Sequence, residues 1–161
     1  MSVNLMYLLL LIMVANGAPI MLRVLMGHRL DFAIDFGYRL PDKYQLFGSS
    51  KTWRGVIGAV ILTTIGAILL GYPASTGAQI AIYAMLGDIL SSFIKRRLGM
   101  VPSSMAPLLD QVPESFLPAL MLKDTFGIDL QSIIILISVF IVLELFLFSI
   151  LFKLGIRNRP Y

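Results

Sequence analysis

The sequence predicts an all-α integral membrane protein: a bundle of five transmembrane helices with its N-terminus outside and its C-terminus in the cytoplasm. Hydrophobic residues make up 58% of the 161 residues and charged residues 14%, against about 25% charged in soluble proteins. The charges are also segregated, with none in residues 1–22, none in 55–87 and only Glu144 in 130–152. These observations exclude a soluble fold, a disordered chain and a nucleic-acid-binding module, despite the net charge of +4.

Four apolar runs are each long enough to cross about 30 Å of hydrocarbon, which takes about 20 residues. They cover residues 3–26, 54–72, 76–96 and 130–152. The first run lacks a basic flank and is too long for a signal peptide, so we expect a retained span. Gly71, Tyr72 and Pro73 separate the second run from the third. No run alternates as a strand does, which predicts helices.

The segment 108–122 follows Pro107 and is interrupted by Asp110, Glu114, Pro113 and Pro118, and the distribution of basic residues decides whether it crosses. Lys and Arg accumulate on the cytoplasmic side of membrane proteins. With five spans, 12 of the 13 basic residues face the cytoplasm, in residues 23–54, 95–97 and 153–159. With four spans, the last three basic residues would lie outside. We therefore expect five spans in one domain covering 1–161, with cytoplasmic loops at about 27–53 and 97–107.

The clearest functional candidate is Asp88, because a carboxylate at the centre of a span costs about 2.5–3.5 kcal/mol to insert. Ser91, Ser92 and Lys95 follow it by three, four and seven residues, so all four side chains project from one helix face. A charge pair that only joins two helices is the structural alternative. The two hydroxyls and the basic cluster on that face favour a functional site.

Two further polar elements lie at a similar depth. Asn16 and Pro19 belong to the cytoplasmic half of the first span, where the proline frees backbone carbonyls. Asp110 and Gln111 open the interrupted segment, at a depth that we expect to match that of Asp88. Two carboxylates with hydroxyls and water would form an oxygen-rich site suited to Mg²⁺. The alternative is two unrelated Asp residues near one interface.

The first cytoplasmic loop ends in residues 47–55, FGSSKTWRG, which run into the second span. Glycine, hydroxyl and cationic residues that open a helix can bind phosphate through backbone donors and the helix dipole. Lys51 and Arg54 are three residues apart, so we expect them on one helix face. A basic surface loop that only fixes the topology explains the same residues, and the spacing of a Walker A loop is missing.

Together these segments resemble the CTP:phosphatidate cytidylyltransferase superfamily. The block 87–97, GDILSSFIKRR, followed by Asp110, is similar to its signature, and residues 51–55 match its KT-x-x-G element. The Asn16-x-x-Pro19 element, the KTWRG, SFIKRR and LDQ runs and the short length resemble its archaeal branch, the CDP-archaeol synthases. The Gly-His-Gly-Gly run of the bacterial and eukaryotic enzymes is absent before Asp110, which favours an archaeal ether lipid as substrate.

The resemblance implies a transferase of the cell membrane, with its site facing the cytoplasm. It would condense CTP with 2,3-bis-O-geranylgeranyl-sn-glycerol 1-phosphate, an isoprenoid lipid phosphate, and release pyrophosphate. The resemblance implies Asp88 and Asp110 as Mg²⁺ ligands and, with Lys95, as the catalytic residues. The expected substrate-binding residues are Asn16, Lys51, Thr52, Arg54, Ser91, Ser92, Lys95, Arg96, Arg97 and Gln111. Membrane lipids are expected partners, nucleic acid is not, and an oligomer is compatible with the sequence.

Other functions stay open on the residues alone: an enzyme that resembles CDP-diacylglycerol synthase, a small ion or proton transporter, and a lipid phosphate hydrolase or prenyl-lipid transferase. A transporter needs polar residues on both sides of the midplane, whereas here they gather at one face. A DDxxD-type cluster, expected of a prenyl transferase, is missing. One His, His28, and no Cys leave no convincing Ser-His or Cys-His pair. Glu144 has no hydroxyl or cation at helical spacing, so we predict a structural role for it.

Overall fold

The computed structural model describes residues 2–153, and within that range the chain is helical with no strand. Among the described residues, two isolated bridges, Ala33 with Thr52 and Arg39 with Gln45, pair extended backbone. The helices are α1 (Val3–Met26), α2 (Trp53–Leu69), α3 (Ala74–Arg97), α4 (Gln111–Met121), α5 (Lys123–Phe126) and α6 (Leu130–Lys153). The prediction of an all-α protein is confirmed. Arg157 and Arg159, which the predicted topology counts as cytoplasmic, lie outside the described residues.

Local sequence explains where the helices begin and end. The side chain of Ser2 accepts a hydrogen bond from the Leu5 amide and caps α1, and that of Thr52 accepts one from the Gly55 amide and caps α2. After α2 the chain turns at Gly71, whose φ of 83° favours glycine. Each long helix begins and ends within three residues of its predicted apolar run.

Small residues let the first three helices pack closely. A ridge on α2, formed by Gly55, Ala59, Thr63 and Ala67, is buried along its length. A Cβ atom on Gly77 of α3 would lie 2.6 Å from the Cα atom of Thr64 in α2. Backbones that approach this closely are typical of small-residue interfaces between membrane helices.

Three of the helices are long and apolar enough to cross a membrane. They are α1, α3 and α6, each of 24 residues, with mean hydropathy of 2.1, 1.4 and 3.0 over their most apolar windows. The chain is therefore a multi-pass membrane protein. Helix α2 is a shorter apolar helix of 17 residues, and α4 has 11, which is about 16 Å of helix. The predicted span at 108–122 is thus a short helix, followed by the single turn of α5.

The bundle is polarised along its axis. Its apolar core, with Leu8, Ile80, Phe126 and Phe140 completely or almost completely buried, lies towards the start of α1, α3 and α6. The loops 27–52 and 98–110 meet at the opposite end, where the Arg97 guanidinium donates a hydrogen bond of 2.7 Å to the Gln45 carbonyl. Most of the charged residues therefore collect at this end of the bundle, whereas Lys123, Asp124 and Asp129 lie at the other end, beside the start of α1.

Candidate functional site

A cavity of about 430 Å³ lies at the loop end of the bundle. Its walls come from α1, α2, α3, α4 and α6 and from both long loops. It is lined by four acidic and three basic side chains, namely Asp88, Asp110, Glu114, Glu144, Arg23, Lys51 and Lys95. A cavity with this lining, in a bundle of apolar helices, suits a small charged ligand.

Lys51 and Asp88 form the first ion pair in the cavity. The Lys51 Nζ atom lies 2.5 Å from each of the two carboxylate oxygens of Asp88. Burial lowers the pKa of Lys51, but attraction to Asp88 and Glu114 outweighs it, so its pKa is raised above 10.5. Lys51 is therefore a cation at neutral pH.

Lys95 and Asp110 form the second ion pair, with 2.6 Å between Nζ and Oδ1. The same ammonium donates a hydrogen bond of 3.0 Å to the Ser104 carbonyl. The Asp110 carboxylate also accepts a hydrogen bond from the Ala106 amide, at 2.9 Å. These contacts join the end of α3 to the loop that precedes α4, so the two predicted Asp residues do line one cavity.

Two carboxyl groups in the cavity were not predicted as site residues. Glu114 lies in α4, one turn after Asp110, and its carboxyl group interacts with that of Asp88. The absence of a side chain at Gly87 allows this approach, because a Cβ atom there would overlap the Pro113 carbonyl and lie 2.7 Å from the Glu114 nitrogen. The i+4 spacing of Asp110 and Glu114 was the available sequence signal.

Glu144, for which the sequence predicted a structural role, is buried and lines the same cavity. It interacts electrostatically with Glu114 of α4. Because its neighbours in the cavity come from other helices, spacing along its own helix could not have identified them.

Six of the predicted site residues line the cavity and six do not. Those that line it are Asn16, Lys51, Thr52, Asp88, Lys95 and Asp110. The others, which hold the surrounding structure, are Arg54, Ser91, Ser92, Arg96, Arg97 and Gln111.

Arg54 does not share a face with Lys51, contrary to the expectation from their spacing. Its guanidinium donates hydrogen bonds to the carbonyls of Gly27 and Arg29 and lies 3.2 Å from the Asp31 carboxylate. The helical rule fails here because Lys51 precedes the cap, Thr52, whose backbone is extended. Lys51 therefore points to α3 and Arg54 to the loop.

The other five residues outside the cavity make local contacts. The Ser91 hydroxyl donates to the Asp88 carbonyl at 2.9 Å, and the Gln111 side chain accepts from the Leu108 amide at 2.7 Å. Ser92 is almost fully buried in α3. Arg96 donates to the Val101 carbonyl at 2.8 Å, and Arg97 lies 2.8 Å from the Asp42 carboxylate. The two arginines thus anchor the loops that close the cavity end.

Asp35 organises the first loop and was missed by the sequence analysis. Its carboxylate accepts hydrogen bonds of 2.9, 2.9 and 3.0 Å from the amides of Gly37, Phe47 and Gly48. Burial raises the pKa of Asp35, but these backbone donors together outweigh it and hold the pKa below 3.8. The loop segment that leads to Lys51 is therefore fixed by a buried charge.

The donor set of the cavity fits a hard divalent cation. Carboxylate and hydroxyl oxygens line it, which are the ligands that Mg²⁺ prefers. Within residues 2–153, however, no three His, Cys, Asp or Glu side chains are already gathered as a metal site. Asp88 and Asp110 are paired with lysines instead. A cation would therefore have to replace the ammonium groups at these carboxylates.

Fold and site together define a class: a multi-pass membrane protein with a charged, oxygen-rich cavity at one end of an apolar bundle. The CarS-like family, described as CDP-archaeol synthase, matches residues 1–161. The chain belongs to this family.

Individual relatives agree with that membership. The CDP-archaeol synthase of Staphylothermus marinus is 32% identical over 92% of this chain and 87% of its own length. That of Sulfolobus acidocaldarius is 31% identical over 80% of this chain and 82% of its own length. The synthase of Hyperthermus butylicus is 38% identical over 61% of this chain, which matches 59% of that relative.

A solved structure of an intramembrane enzyme for archaeal membrane lipid biosynthesis has the same fold. It superposes with a TM-score of 0.68 at 29% identity, over 86% of this chain and 89% of that one. The family predicted from the sequence motifs is confirmed.

Proposed function

We propose that this protein condenses CTP with 2,3-bis-O-geranylgeranyl-sn-glycerol 1-phosphate to give CDP-archaeol and pyrophosphate. The match of the whole chain to the CDP-archaeol synthase family carries the proposal. The cavity supports it, because it combines anionic and cationic groups within a membrane bundle. A water-soluble nucleotide and a lipid phosphate can therefore meet at one site.

The reaction needs positioned charges more than a general base. A lipid phosphate monoester is mostly ionised at pH 7, since its second pKa is about 6. Its oxygen can attack the α-phosphorus of CTP in line, and pyrophosphate leaves. What catalyses such a transfer is alignment and neutralisation of negative charge. Lys51 and Lys95 are the cations placed to neutralise phosphates, because both line the cavity.

Asp88 and Asp110 are proposed to hold the divalent cation that nucleotidyltransferases generally use, with Mg²⁺ as the expected ion. When bound, the cation supplies positive charge to the triphosphate. Each lysine would then exchange its carboxylate for a phosphate oxygen, so no ammonium group loses its partner. The two observed ion pairs support this exchange, since they keep all four charges neutralised while the substrates are absent.

The proposed topology has five crossings, an outside N-terminus and a cavity that opens to the cytoplasm, in a single domain of residues 1–161. The basic residues that surround the cavity support this orientation, because positive charge favours the cytoplasmic side. CTP is made and held in the cytoplasm, so a site for it belongs there. On this proposal α2 also crosses, and the proline-bent segment 108–122, whose helical part is the 11-residue α4, forms the short fourth crossing.

Pyrophosphate release tests the function. Detergent-purified protein with Mg²⁺ and the unsaturated ether-lipid phosphate should consume CTP far faster than ATP or GTP, because a site bonded to one base leaves polar groups unpaired with another. Turnover with a diacyl ester lipid in place of the ether lipid would favour the CDP-diacylglycerol-type alternative. Absence of nucleotide consumption, with ion flux in reconstituted vesicles, would refute the proposal and favour the transporter.

A further inference from the structure

Among the described residues, one basic side chain on the cavity wall forms no ion pair. Lys51 and Lys95 each contact a carboxylate, whereas Arg23, the third cation on the wall, makes no ion pair or side-chain hydrogen bond within the described part of the chain. Its backbone carbonyl accepts a hydrogen bond from the Gly27 amide. A cation on a cavity wall without a protein partner is available to an anionic ligand.

Arg23 lies at the loop end of α1, beside exposed apolar surface. It belongs to the last turn of α1, and Ile20 and Val24 on the same wall are apolar. Val24 and Leu25 are 55% and 71% exposed, so apolar surface continues outwards from this turn. A group bound by Arg23 would thus have the charged cavity on one side and lipid-facing surface on the other.

A cleft between α1 and α6 adjoins this position. It is a small cleft of about 10 Å³ that shares Asn16, Ile20, Glu144 and Phe148 with the main cavity, and its other lining residues are Met13, Gly17, Phe140 and Leu147. The cleft is too small for a hydrocarbon chain, so the chains of a lipid would lie along the exposed apolar surface at Val24 and Leu25 while the polar headgroup stays at the level of the last helical turn.

We propose that Arg23 binds the phosphate of the lipid substrate and holds it against the nucleotide site. The inference rests on the proposed function and adds a substrate-binding residue to it. A guanidinium binds phosphate with two parallel hydrogen bonds, which fixes orientation as well as position. A phosphate of CTP has the same chemistry, but the exposed apolar flank of Arg23 favours the phosphate that carries hydrocarbon chains.

Kinetics of Arg23→Gln and Arg23→Lys test the assignment. We expect Arg23→Gln to raise the KM for the lipid phosphate by about tenfold or more, from loss of charge-assisted hydrogen bonds, and to change the KM for CTP less than about twofold. Arg23→Lys should raise the KM for the lipid phosphate by an intermediate amount, because lysine keeps the charge but loses the two-point contact. Arg29→Gln is the matched control, since Arg29 is exposed, lies outside the cavity and makes no side-chain hydrogen bond or ion pair within the described residues.

A binding measurement without nucleotide separates this inference from the proposed function. The lipid phosphate should raise the melting temperature of the wild type and of Arg29→Gln, but much less that of Arg23→Gln. The same diether lipid without its phosphate should change the melting temperatures of the three proteins equally. An effect on the KM for CTP alone would assign Arg23 to the nucleotide and overturn the lipid assignment.

Wild-type kinetics and lipid stabilisation in Arg23→Gln would overturn the inference and leave the proposed function intact. A wild type that consumes no nucleotide would refute the function. Phosphate-dependent lipid stabilisation lost only in Arg23→Gln would still support Arg23 as the phosphate contact.

Discussion

Replacing Lys51 with Met removes the ammonium group that neutralises Asp88 and, on our account, later contacts a phosphate of CTP. Methionine keeps most of the length of the side chain, so the change isolates the charge. We expect lower stability, lower activity and tighter binding of a divalent cation in the absence of nucleotide. The third effect has the opposite sign to the first two, which makes the prediction specific.

The magnitudes follow from the geometry of the pair. Removing one partner of a fully buried pair costs about 3–5 kcal/mol. Here 19% of the Lys51 side chain and 18% of the Asp88 side chain are exposed, so we expect about 2 kcal/mol, or about 4–8 °C in melting temperature. A charged hydrogen bond to phosphate is worth about 1.5–3 kcal/mol, which predicts a loss of about 10- to 150-fold in kcat/KM for CTP.

Binding of Mn²⁺, followed by its paramagnetic resonance signal, reports the third effect. A cation at Asp88 competes with an ion pair worth about 1 kcal/mol, so Lys51→Met should bind Mn²⁺ about fivefold more tightly. The pKa of Lys51 is raised above 10.5, so the pair's contribution is present below that pH and is lost only as pH rises through the higher value. The differences in stability and in Mn²⁺ affinity between Lys51→Met and the wild type should therefore be the same at about pH 6 and about pH 9.

Lys123→Met is the matched control, because Lys123 is exposed and lies outside the cavity. Unchanged turnover together with unchanged Mn²⁺ binding in Lys51→Met would refute the exchange of lysines between carboxylates and phosphates.

Three other predictions concern the carboxylates and the packing that positions them. Asp88→Asn and Asp110→Asn should each give a folded protein with almost no pyrophosphate release, and near-normal Mg²⁺-dependent activity in either would refute its role as metal ligand. Asp35→Ala should lower stability by about 2–4 kcal/mol and speed amide exchange in its loop. Because the pKa of Asp35 is lowered, the stabilisation that its carboxylate provides is present above pH 3.8 and fades below it. Gly87→Ala should lower the free energy of unfolding by about 1–3 kcal/mol and remove most of the activity. The control is Gly17→Ala, which places no atom within 4 Å of the new Cβ and should melt at or above the wild-type temperature. Equal melting temperatures of the two variants would contradict the close helix contact.

Hydropathy and charge predicted most of the fold, because each long helix is a continuous apolar run bounded by a recognisable break. The short α4 was harder to predict, since its charged and proline residues resemble a loop. It packs closely against α3 at Gly87, and a contact of this kind between distant segments cannot be read from the local sequence. The sequence alone does not show which backbone lies against Gly87.

The site was predictable in part. Asp88 and Asp110 could be found because carboxylates in apolar segments are rare and because they match family motifs. Glu144 and Arg23 could not, since their cavity neighbours lie on other helices and only the fold brings them together. The resemblance and their charge suggested Arg54, Arg96 and Arg97 as substrate-binding residues, whereas in the fold their guanidinium groups contact loop carbonyls and carboxylates.

The transfer of labelled phosphorus from CTP tests the central claim most directly. Purified protein is incubated with Mg²⁺, the ether-lipid phosphate and CTP that carries ³²P at either the α or the γ position. The account predicts that the α label enters the lipid fraction, that the γ label leaves as pyrophosphate, and that Asp88→Asn abolishes both. Entry of the γ label into lipid would indicate a kinase, and absence of label from the lipid in both experiments would contradict cytidylyl transfer altogether.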